Sequence, residues 1–373
     1  MKFTLAFDSY KDALRSAAVC RAAAEGIRAV LPEAEIVEIP LSDGGEGFVE
    51  AVAAASPGAK VRDFPTTDAL GRPVTARVVF PEGAAVVECA SCCGIEQLTP
   101  AERDPRRTDT FGLGTLLRSV AASSPRRIVI GLGGSATVDG GLGMLRGLGV
   151  RFYDEAGNPI EDGGGAALMR VYRCDVADVI ALPPLTAACD VTNPLCGETG
   201  AAAVFGPQKG ASPELVRELE AALVRYGALL ADAFGKPLSA PGDGAAGGLG
   251  FALRMLGADT VSGAELLFDW SDFDKRVPGS ALLITGEGRS DAQTAAGKLP
   301  AAAARRAAKL GVPAALVSGA LADDAAGLYE LFSAVMSISS GPGPLAAALA
   351  RTEENLRRAG SNIAALMKAG GRR

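Results

Sequence analysis

Four glycine-rich segments have the composition of loops that bind phosphate. They occupy residues 42–47 (SDGGEG), 131–141 (GLGGSATVDGG), 242–250 (GDGAAGGLG) and 286–291 (GEGRSD). Glycine lets backbone amides approach a phosphate closely, serine and threonine add donors, and aspartate or glutamate can hold Mg2+. A single glycine-rich loop is as often a simple tight turn as a phosphate-binding loop. Four of them in one chain favour phosphate chemistry.

The segment 131–141 allows two interpretations. It follows the strand-like residues 126–130 (RRIVI) and precedes the helix-like residues 142–149, so it could place an anion at a helix N-terminus. Its Gly131-x-Gly133-x-x-Ala136 spacing also resembles a dinucleotide fingerprint, for which Asp154 and Glu155 would follow the second strand. An NAD(P)-dependent oxidoreductase of a small hydroxy acid therefore stays an alternative. The chain has no GxxxxGK[ST], HRD or DFG element, which excludes P-loop enzymes and protein kinases.

Charged residues in loop positions could act on a phosphoryl group, which needs positive charge, Mg2+ and a group to orient the acceptor. The lysines in glycine-rich or small-residue contexts are Lys11, Lys209 and Lys298, and the carboxylates that end apolar runs or lie in glycine loops are Asp8, Asp43, Asp139, Asp190, Glu287 and Asp291. Solvated lysines and helix caps at Asp43 and Asp139 are the plainer alternatives. The chain has no histidine, so a general base must be a carboxylate, Lys, Tyr or Cys.

Composition excludes several classes of protein. With 373 residues, 48% hydrophobic and 21% charged, the chain is long and apolar enough for two globular domains. A formal net charge of -6 argues against a nucleic-acid partner. Neither a signal peptide nor an apolar run of membrane-spanning length is visible, so we expect a cytoplasmic protein without a membrane partner. The seven cysteines are expected to be reduced thiols, with half a metal site at Cys89 and Cys92 as the alternative.

Apolar runs at both chain ends predict one doubly wound parallel sheet. Strands are expected at residues 3–7, 35–41, 281–285, 314–319 and 331–339, with helices at 15–31, 300–311 and 345–369. Residues 63–89 alternate as a hairpin does, which indicates a second domain inserted into the first. The predicted boundaries are 1–66 with 280–373 for a Rossmann-like α/β domain and 67–279 for an inserted mixed α/β domain.

Seven segments in order resemble the type I glycerate kinases of bacteria along nearly the whole chain. They are residues 8–14, 41–47, 131–141, 189–197, 204–211, 244–250 and 284–298. The resemblance implies ATP-dependent phosphorylation of D-glycerate at its 2-hydroxyl to 2-phosphoglycerate, with Mg2+. It also implies the two-domain glycerate kinase I fold, whose cleft holds both substrates. ATP and D-glycerate would be the partners of a monomer or homodimer.

Site residues follow from these motifs as hypotheses. Asp190 would orient or deprotonate the acceptor hydroxyl, Lys11, Arg289 and Lys298 would neutralise the substrate carboxylate and the phosphates, and the candidates for Mg2+ are Asp43, Glu46, Glu287 and Asp291. The predicted substrate and phosphate contacts are Asp8, Ser9, Gly44, Gly45, Gly133, Gly134, Ser135, Thr137, Asn193, Lys209, Gly286, Gly288, Gln293 and Thr294.

Three positions depart from the family pattern. Val138, Asp12 and Ala296 stand where the family usually has Asn, Gly and His. Val138 would remove one polar contact from the loop at 131–141. These departures keep an inactive ligand-binding homologue as a further alternative.

Overall fold

The structure is a computed structural model that describes residues 1–371, with the side chain of Ala296 outside the described part. The predicted departure at position 296 therefore lies outside the described residues. The chain divides into two compact units. The first, which we call the terminal unit, comprises residues 1–43, 50–57 and the described residues from 264 onward. The second, the inserted unit, comprises residues 44–49 and 58–263. The sequence placed these boundaries at 66/67 and 279/280.

The strands are short, and most of them are formed by apolar runs of the sequence. They are β1 (Lys2–Phe7), β2 (Glu35–Glu38), β3 (Lys60–Thr67), β4 (Pro73–Phe80), β5 (Ala84–Glu88), β6 (Arg127–Gly131), β7 (Arg151–Tyr153), β8 (Arg173–Asp175), β9 (Leu185–Ala188), β10 (Asp259–Val261), β11 (Leu282–Gly286), β12 (Arg289–Ser290), β13 (Ala314–Ser318), β14 (Ala320–Leu321) and β15 (Ala334–Ser337).

The helices lie between these strands and after the last of them. They are α1 (Ser16–Val30), α2 (Phe48–Ala55), α3 (Ala90–Cys93), α4 (Phe111–Ala121), α5 (Leu142–Gly147), α6 (Gly164–Leu168), α7 (Ala201–Phe205), α8 (Pro213–Phe234), α9 (Leu249–Met255), α10 (Gly263–Trp270), α11 (Phe273–Arg276), α12 (Ala292–Ala296), α13 (Leu299–Lys309), α14 (Leu345–Ala350) and α15 (Thr352–Gly370). None of the helices in residues 1–371 has the length and apolar character needed to cross a membrane.

The terminal unit contains a parallel sheet built from both ends of the chain, which confirms the predicted α/β class. Its strand order is β15-β13-β11-β1-β2, and every pairing is parallel. Alternate residues such as Phe3, Leu5 and Ile284 pack with α1 and α15 in one apolar cluster. Helix α13 packs on β11 and β13 with a different set of buried alanines. Residues along a strand point alternately to its two faces, so this arrangement covers both faces of the sheet.

The inserted unit contains a six-stranded mixed sheet in the order β10-β9-β6-β5-β4-β3. The hairpin predicted at 63–89 is confirmed: β3 and β4 pair antiparallel from Lys60 opposite Phe80 to Thr67 opposite Pro73, and β4 pairs antiparallel with β5. Strands β5, β6, β9 and β10 are parallel, so their carboxyl ends meet along one edge.

Two local expectations were wrong. The long C-terminal helix is interrupted at Arg351, where φ is -103° and ψ is 9°, and α15 restarts with Glu353 and Glu354 in its first turn. Carboxylates there suit the positive end of a new helix dipole, so the restart is locally favourable. The strand required by the dinucleotide interpretation is β7, which pairs antiparallel with β8 in a separate two-stranded sheet. Asp154 instead accepts the amide of Asn158 in the turn after β7.

Candidate active site

The terminal sheet reverses its strand order between β1 and β11, and the residues that follow these two strands are acidic. From β1 the chain passes outward to β2, whereas β11, β13 and β15 progress in the opposite direction. Asp8 follows β1, and its amide donates to the carbonyl of Gly286 at 3.0 Å, one residue before Glu287. Ligands of open α/β sheets bind outside the carboxyl ends of strands at such a reversal.

Two neighbouring carboxylates act on Asp8 at this edge. Burial raises the pKa of Asp8 well above its usual value, and the negative charges of Asp43 and Glu287 raise it further. The amide of Ser9 donates to the Asp8 carboxylate at 2.6 Å and works in the opposite direction. Negative charge therefore accumulates around Asp8, which suits a hard cation with oxygen ligands.

These carboxylates do not form a closed metal cage. Within residues 1–371, no group of three or more acidic or cysteine side chains is arranged to hold one ion. Mg2+ that arrives on nucleotide phosphates needs only one or two protein carboxylates, because water and phosphate oxygens complete its octahedron. The acidic edge fits that second mode of binding.

Glu287 is held in place by hydroxyl groups. Its Oε1 accepts from Thr294 Oγ1 at 2.6 Å and from Ser290 Oγ at 2.9 Å. Ser290 Oγ also lies 2.6 Å from Ser318 Oγ, at the end of β13. Burial raises the pKa of Glu287 in spite of the opposing bond from Thr294. The network fixes one carboxylate oxygen and so orients the whole group.

Asp291 begins α12 as its N-cap. Its Oδ1 accepts the amides of Gln293 at 3.0 Å and Thr294 at 3.2 Å, and it pairs with Lys298 Nζ at 3.2 Å. Partial burial works to raise the pKa of Asp291, but the Lys298 ammonium and the amides of Thr294 and Gln293 together hold that pKa below its usual value. Asp291 is thus engaged by the chain itself, whereas Gln293 lies at the surface.

The loop between β11 and β12 packs against β13 so closely that a side chain is excluded. A Cβ on Gly286 would lie 1.7 Å from the carbonyl oxygen of Val317. Gly319 and Gly288 are in similarly close contact, because a Cβ on Gly319 would lie 2.3 Å from the Gly288 carbonyl oxygen. Lys11 and Arg289, which the sequence predicts to neutralise the substrate carboxylate and the phosphates, are both exposed in the terminal unit.

In the inserted unit, residues 44–47 pack on the loop that follows β6. A Cβ on Gly133 would lie 2.4 Å from Gly45 Cα, and one on Gly44 would lie 2.7 Å from the carbonyl oxygen of Ala188. Gly134 is exposed and adopts φ of 66°. Glu46 is half-buried in the same segment. Two of the four glycine loops are therefore in direct contact.

The hydroxyl-bearing residues of the loop that follows β6 are buried. Ser135 is 5% exposed and Thr137 0%. Lys209 is 2% exposed, and its ammonium donates to Ser135 Oγ at 2.8 Å and to the Thr137 carbonyl at 2.7 Å. Burial lowers the pKa of Lys209 to about 8.

The helix N-terminus proposed for an anion is occupied by the chain's own carboxylate. Asp139 accepts the amides of Gly141 at 3.0 Å and Gly143 at 3.2 Å at the start of α5. It also accepts Thr110 Oγ1 at 2.6 Å. Asp139 therefore supplies acceptors to the first turn of α5, which is the alternative to a ligand anion that the sequence left open for this residue.

Asp190 follows β9 at the same edge as the loops after β5 and β6, and it is exposed. Asn193, three residues later, uses its side chain within the protein by donating to the Thr199 carbonyl at 2.8 Å. Sequence reasoning missed Glu88, which ends β5 at 7% exposure and accepts the amide of Val49 at 3.2 Å. It also missed Ser318. Both end apolar runs, which is the signal that singled out Asp8 and Asp190.

The structure thus groups the predicted residues in two sets. The set in the terminal unit is Asp8, Ser9, Lys11, Asp43, Gly286, Glu287, Gly288, Arg289, Asp291, Gln293, Thr294 and Lys298, and the set in the inserted unit is Gly44, Gly45, Glu46, Gly133, Gly134, Ser135, Thr137, Asp190, Asn193 and Lys209.

Comparison with known proteins gives one consistent result. Residues 3–368 match the model of the glycerate kinase family. The chain is 39% identical over 376 residues to the glycerate kinase of Bacillus cereus, covering 99% of this chain and 98% of that one. It is also 39% identical over 381 residues to the glycerate 2-kinase of Escherichia coli K12, with 99% of each chain covered. A crystal structure assigned to glycerate kinase 2 of Salmonella typhimurium LT2 matches with a TM-score of 0.82, at 39% identity and with 100% of both chains covered.

Proposed function

The chain belongs to the glycerate kinase family, and we propose that it transfers the γ-phosphoryl group of ATP to the 2-hydroxyl of D-glycerate. The observation that carries this proposal is the match over the full length to the E. coli glycerate 2-kinase. In the reaction the bond from the γ-phosphorus to the bridging oxygen of ADP breaks, and a bond to the glycerate oxygen forms. The hydroxyl proton leaves to a carboxylate.

We assign that carboxylate to Asp190. It is exposed at the carboxyl end of β9, where a substrate can reach it. The chain has no histidine, so a carboxylate is an available base for this step. Lys11, Arg289 and Lys298 supply positive charge for the glycerate carboxylate and the phosphates, and exposure leaves Lys11 and Arg289 accessible.

The acidic edge is where Mg2+ of the nucleotide would be held. Glu287 is oriented by Ser290 and Thr294, and the charges of Glu287 and Asp43 both raise the pKa of Asp8. We assign Glu287 and Asp43 as carboxylates that contact the ion, with Asp8 beside them. Asp291 and Glu46 stay further candidates, although Asp291 already caps α12. Bound Mg2+ supplies charge neutralisation for the phosphates.

The loop at Gly133 and Gly134 supplies backbone amides for phosphate. Gly134 is exposed and adopts a positive φ, a conformation in which successive amides can face an anion. Gly44 and Gly45 pack directly against this loop. Ser135 and Thr137 lie below it and support its shape.

A coupled assay of ADP formation tests the proposal. Purified protein with MgATP should release ADP only when D-glycerate is present, and phosphorus NMR should show a 2-phosphate ester. Release of ADP that does not depend on D-glycerate would refute the acceptor assignment. A 3-phosphate product would refute the regiochemistry alone.

The same assay addresses the other two hypotheses. An inactive homologue would be stabilised against heat by D-glycerate or ATP without forming product. An oxidoreductase would bind NAD(P)H and show no ATP turnover. The family match and the antiparallel pairing of β7 give the oxidoreductase no support.

A further inference from the structure

Lys209 occupies a position that is unusual for a lysine. It ends a short 3-10 turn, Pro207–Lys209, that follows α7, and its side chain is 2% exposed. Lysine is almost never fully buried unless its charge is paired or hydrogen-bonded. Its presence there indicates that the ammonium has a specific task inside the inserted unit.

The ammonium bridges two points of one loop. Its acceptors, Ser135 Oγ at 2.8 Å and the Thr137 carbonyl at 2.7 Å, are only two residues apart. The same carbonyl is packed beneath Gly247, where a Cβ would lie 1.9 Å from it. A single side chain therefore fixes both the hydroxyl and the backbone of residues 135–137.

The loop is held from a second direction by the residues around α3. The amide of Ala136 donates to the Cys93 carbonyl at 2.7 Å, and the amide of Ile95 donates to the Gly134 carbonyl at 2.7 Å. Residues 134 and 136 are thus fixed through their backbone by this segment, and residues 135 and 137 by Lys209. Gly134 remains exposed at the top.

The charge on Lys209 is sheltered from solvent. Burial lowers its pKa to about 8, and the facing groups Cys93, Cys89 and Asp139 act in the opposite direction. At neutral pH the amine is therefore still mostly protonated, and charge-assisted bonds are stronger than neutral ones.

We infer that Lys209 is a positioning residue, which shapes the loop at Gly133 and Gly134 from below through Ser135 and Thr137 and does not itself touch phosphate. This inference deepens the proposed function, because it rests on that loop receiving the phosphates of ATP. It differs from direct phosphate binding by Lys209, because the side chain is 2% exposed and two of its three N–H donors are already used within the protein.

Lys209→Met tests the inference, since methionine keeps much of the length and removes the donors and the charge. We expect the amides of residues 133–138 to exchange with solvent faster in this variant than in wild type. We also expect KM for ATP to rise by up to about tenfold, the factor for one charge-assisted hydrogen bond that orders the loop, with a smaller change in kcat and in KM for D-glycerate. Lys236→Met, an exposed lysine of the same unit, is the matched control and should change neither quantity.

Ser135→Ala provides a second route if Lys209→Met does not fold. It removes one acceptor and leaves the lysine with the Thr137 carbonyl, so loop exchange and KM for ATP should shift in the same direction by a smaller factor. In the double variant the two effects should be less than additive, because both act on one contact.

Two outcomes would overturn the inference. If loop amides exchange at the wild-type rate while KM for ATP rises, Lys209 contacts phosphate directly. If both quantities stay at wild-type values, the lysine has no role in shaping the loop. Absence of ADP formation by wild type would refute the proposed function separately, because amide exchange in the ligand-free chain still decides whether Lys209 holds the loop.

Discussion

Replacing Asp243 by alanine should destabilise the inserted unit by about 3 kcal/mol, because the change leaves the mostly buried Arg254 guanidinium without its counter-charge. The Asp243 side chain is 2% exposed and the Arg254 side chain 17%. The pair lies in the glycine-rich segment 242–250 and at the end of α9. Its loss should therefore loosen that segment as a whole.

The magnitude follows from the geometry of the pair. Arg254 donates Nε to one carboxylate oxygen at 2.7 Å and Nη2 to the other at 2.8 Å, a bidentate arrangement. The carboxylate also accepts the amide of Ala240 at 2.7 Å. After truncation Arg254 retains the Pro237 carbonyl at 2.9 Å and the Phe251 ring at 5.4 Å. Neither replaces a negative charge.

Equilibrium unfolding in urea measures the effect, provided that the probe reports on the correct unit. The single tryptophan, Trp270, belongs to the terminal unit. Far-ultraviolet circular dichroism combined with amide exchange in α9 is therefore the suitable readout. Arg217→Ala, which removes the exposed partner of Glu214 in the same unit, is the control and should change the free energy of unfolding by less than about 0.5 kcal/mol.

A double variant separates the ion pair from simple loss of packing. Asp243→Ala with Arg254→Met removes both charges, so its cost should fall well below the sum of the two single costs. The reasoning is refuted if Asp243→Ala lowers the free energy of unfolding by less than about 1 kcal/mol. It is also refuted if the double variant costs as much as the sum of the two single variants.

Three further predictions follow from the site. Asp190→Asn should lower kcat at least about 100-fold without changing circular dichroism, since general bases contribute that much, and near-normal kcat would show that another group takes the proton. Burial lowers the pKa of Lys209 from 10.5 to about 8. Between these two pH values the unfolded chain therefore binds more protons at Lys209 than the folded chain does. Wild type should therefore gain up to about 3 kcal/mol over Lys209→Met as pH rises from 8 to 10.5, and urea unfolding that shows no such gain would refute the buried charge. Gly286→Ala should cost about 3 kcal/mol or more, because its Cβ would lie 1.7 Å from the Val317 carbonyl oxygen; thermal unfolding near the wild-type temperature would contradict this.

The terminal sheet could be predicted because its information is local. Residues 3–7 and 281–285 are apolar runs that end at acidic or glycine residues, and they became β1 and β11 within one residue. The capping role of Asp291 was also readable, since Thr294 follows it at the spacing of a capping box. Such features depend only on neighbours in the chain.

The contact of Asp139 with Thr110 and the role of Lys209 could not be predicted, because these partners are distant in sequence. Asp139 accepts from Thr110 across 29 residues, and Lys209 donates to Ser135 across 74. Glycine, serine and acidic residues together fit either a ligand or a neighbouring loop, and composition does not decide between them. Only the fold shows that Lys209 is buried while Gly134 is exposed.

The departure at Val138 bears on the hypothesis of an inactive homologue. The Val138 side chain is 0% exposed and belongs to the apolar core of the inserted unit, so it faces away from any ligand of the loop. An asparagine there would have to bury an amide, which costs about 1–3 kcal/mol without a hydrogen-bond partner. Valine avoids this cost. The backbone beside it is still fixed, since Gly247 packs on the Thr137 carbonyl and Lys209 donates to the same oxygen. Replacing asparagine by valine therefore changes how the core is filled and leaves the amides of Gly133 and Gly134 in place, so Val138 is no reason to expect an inactive protein.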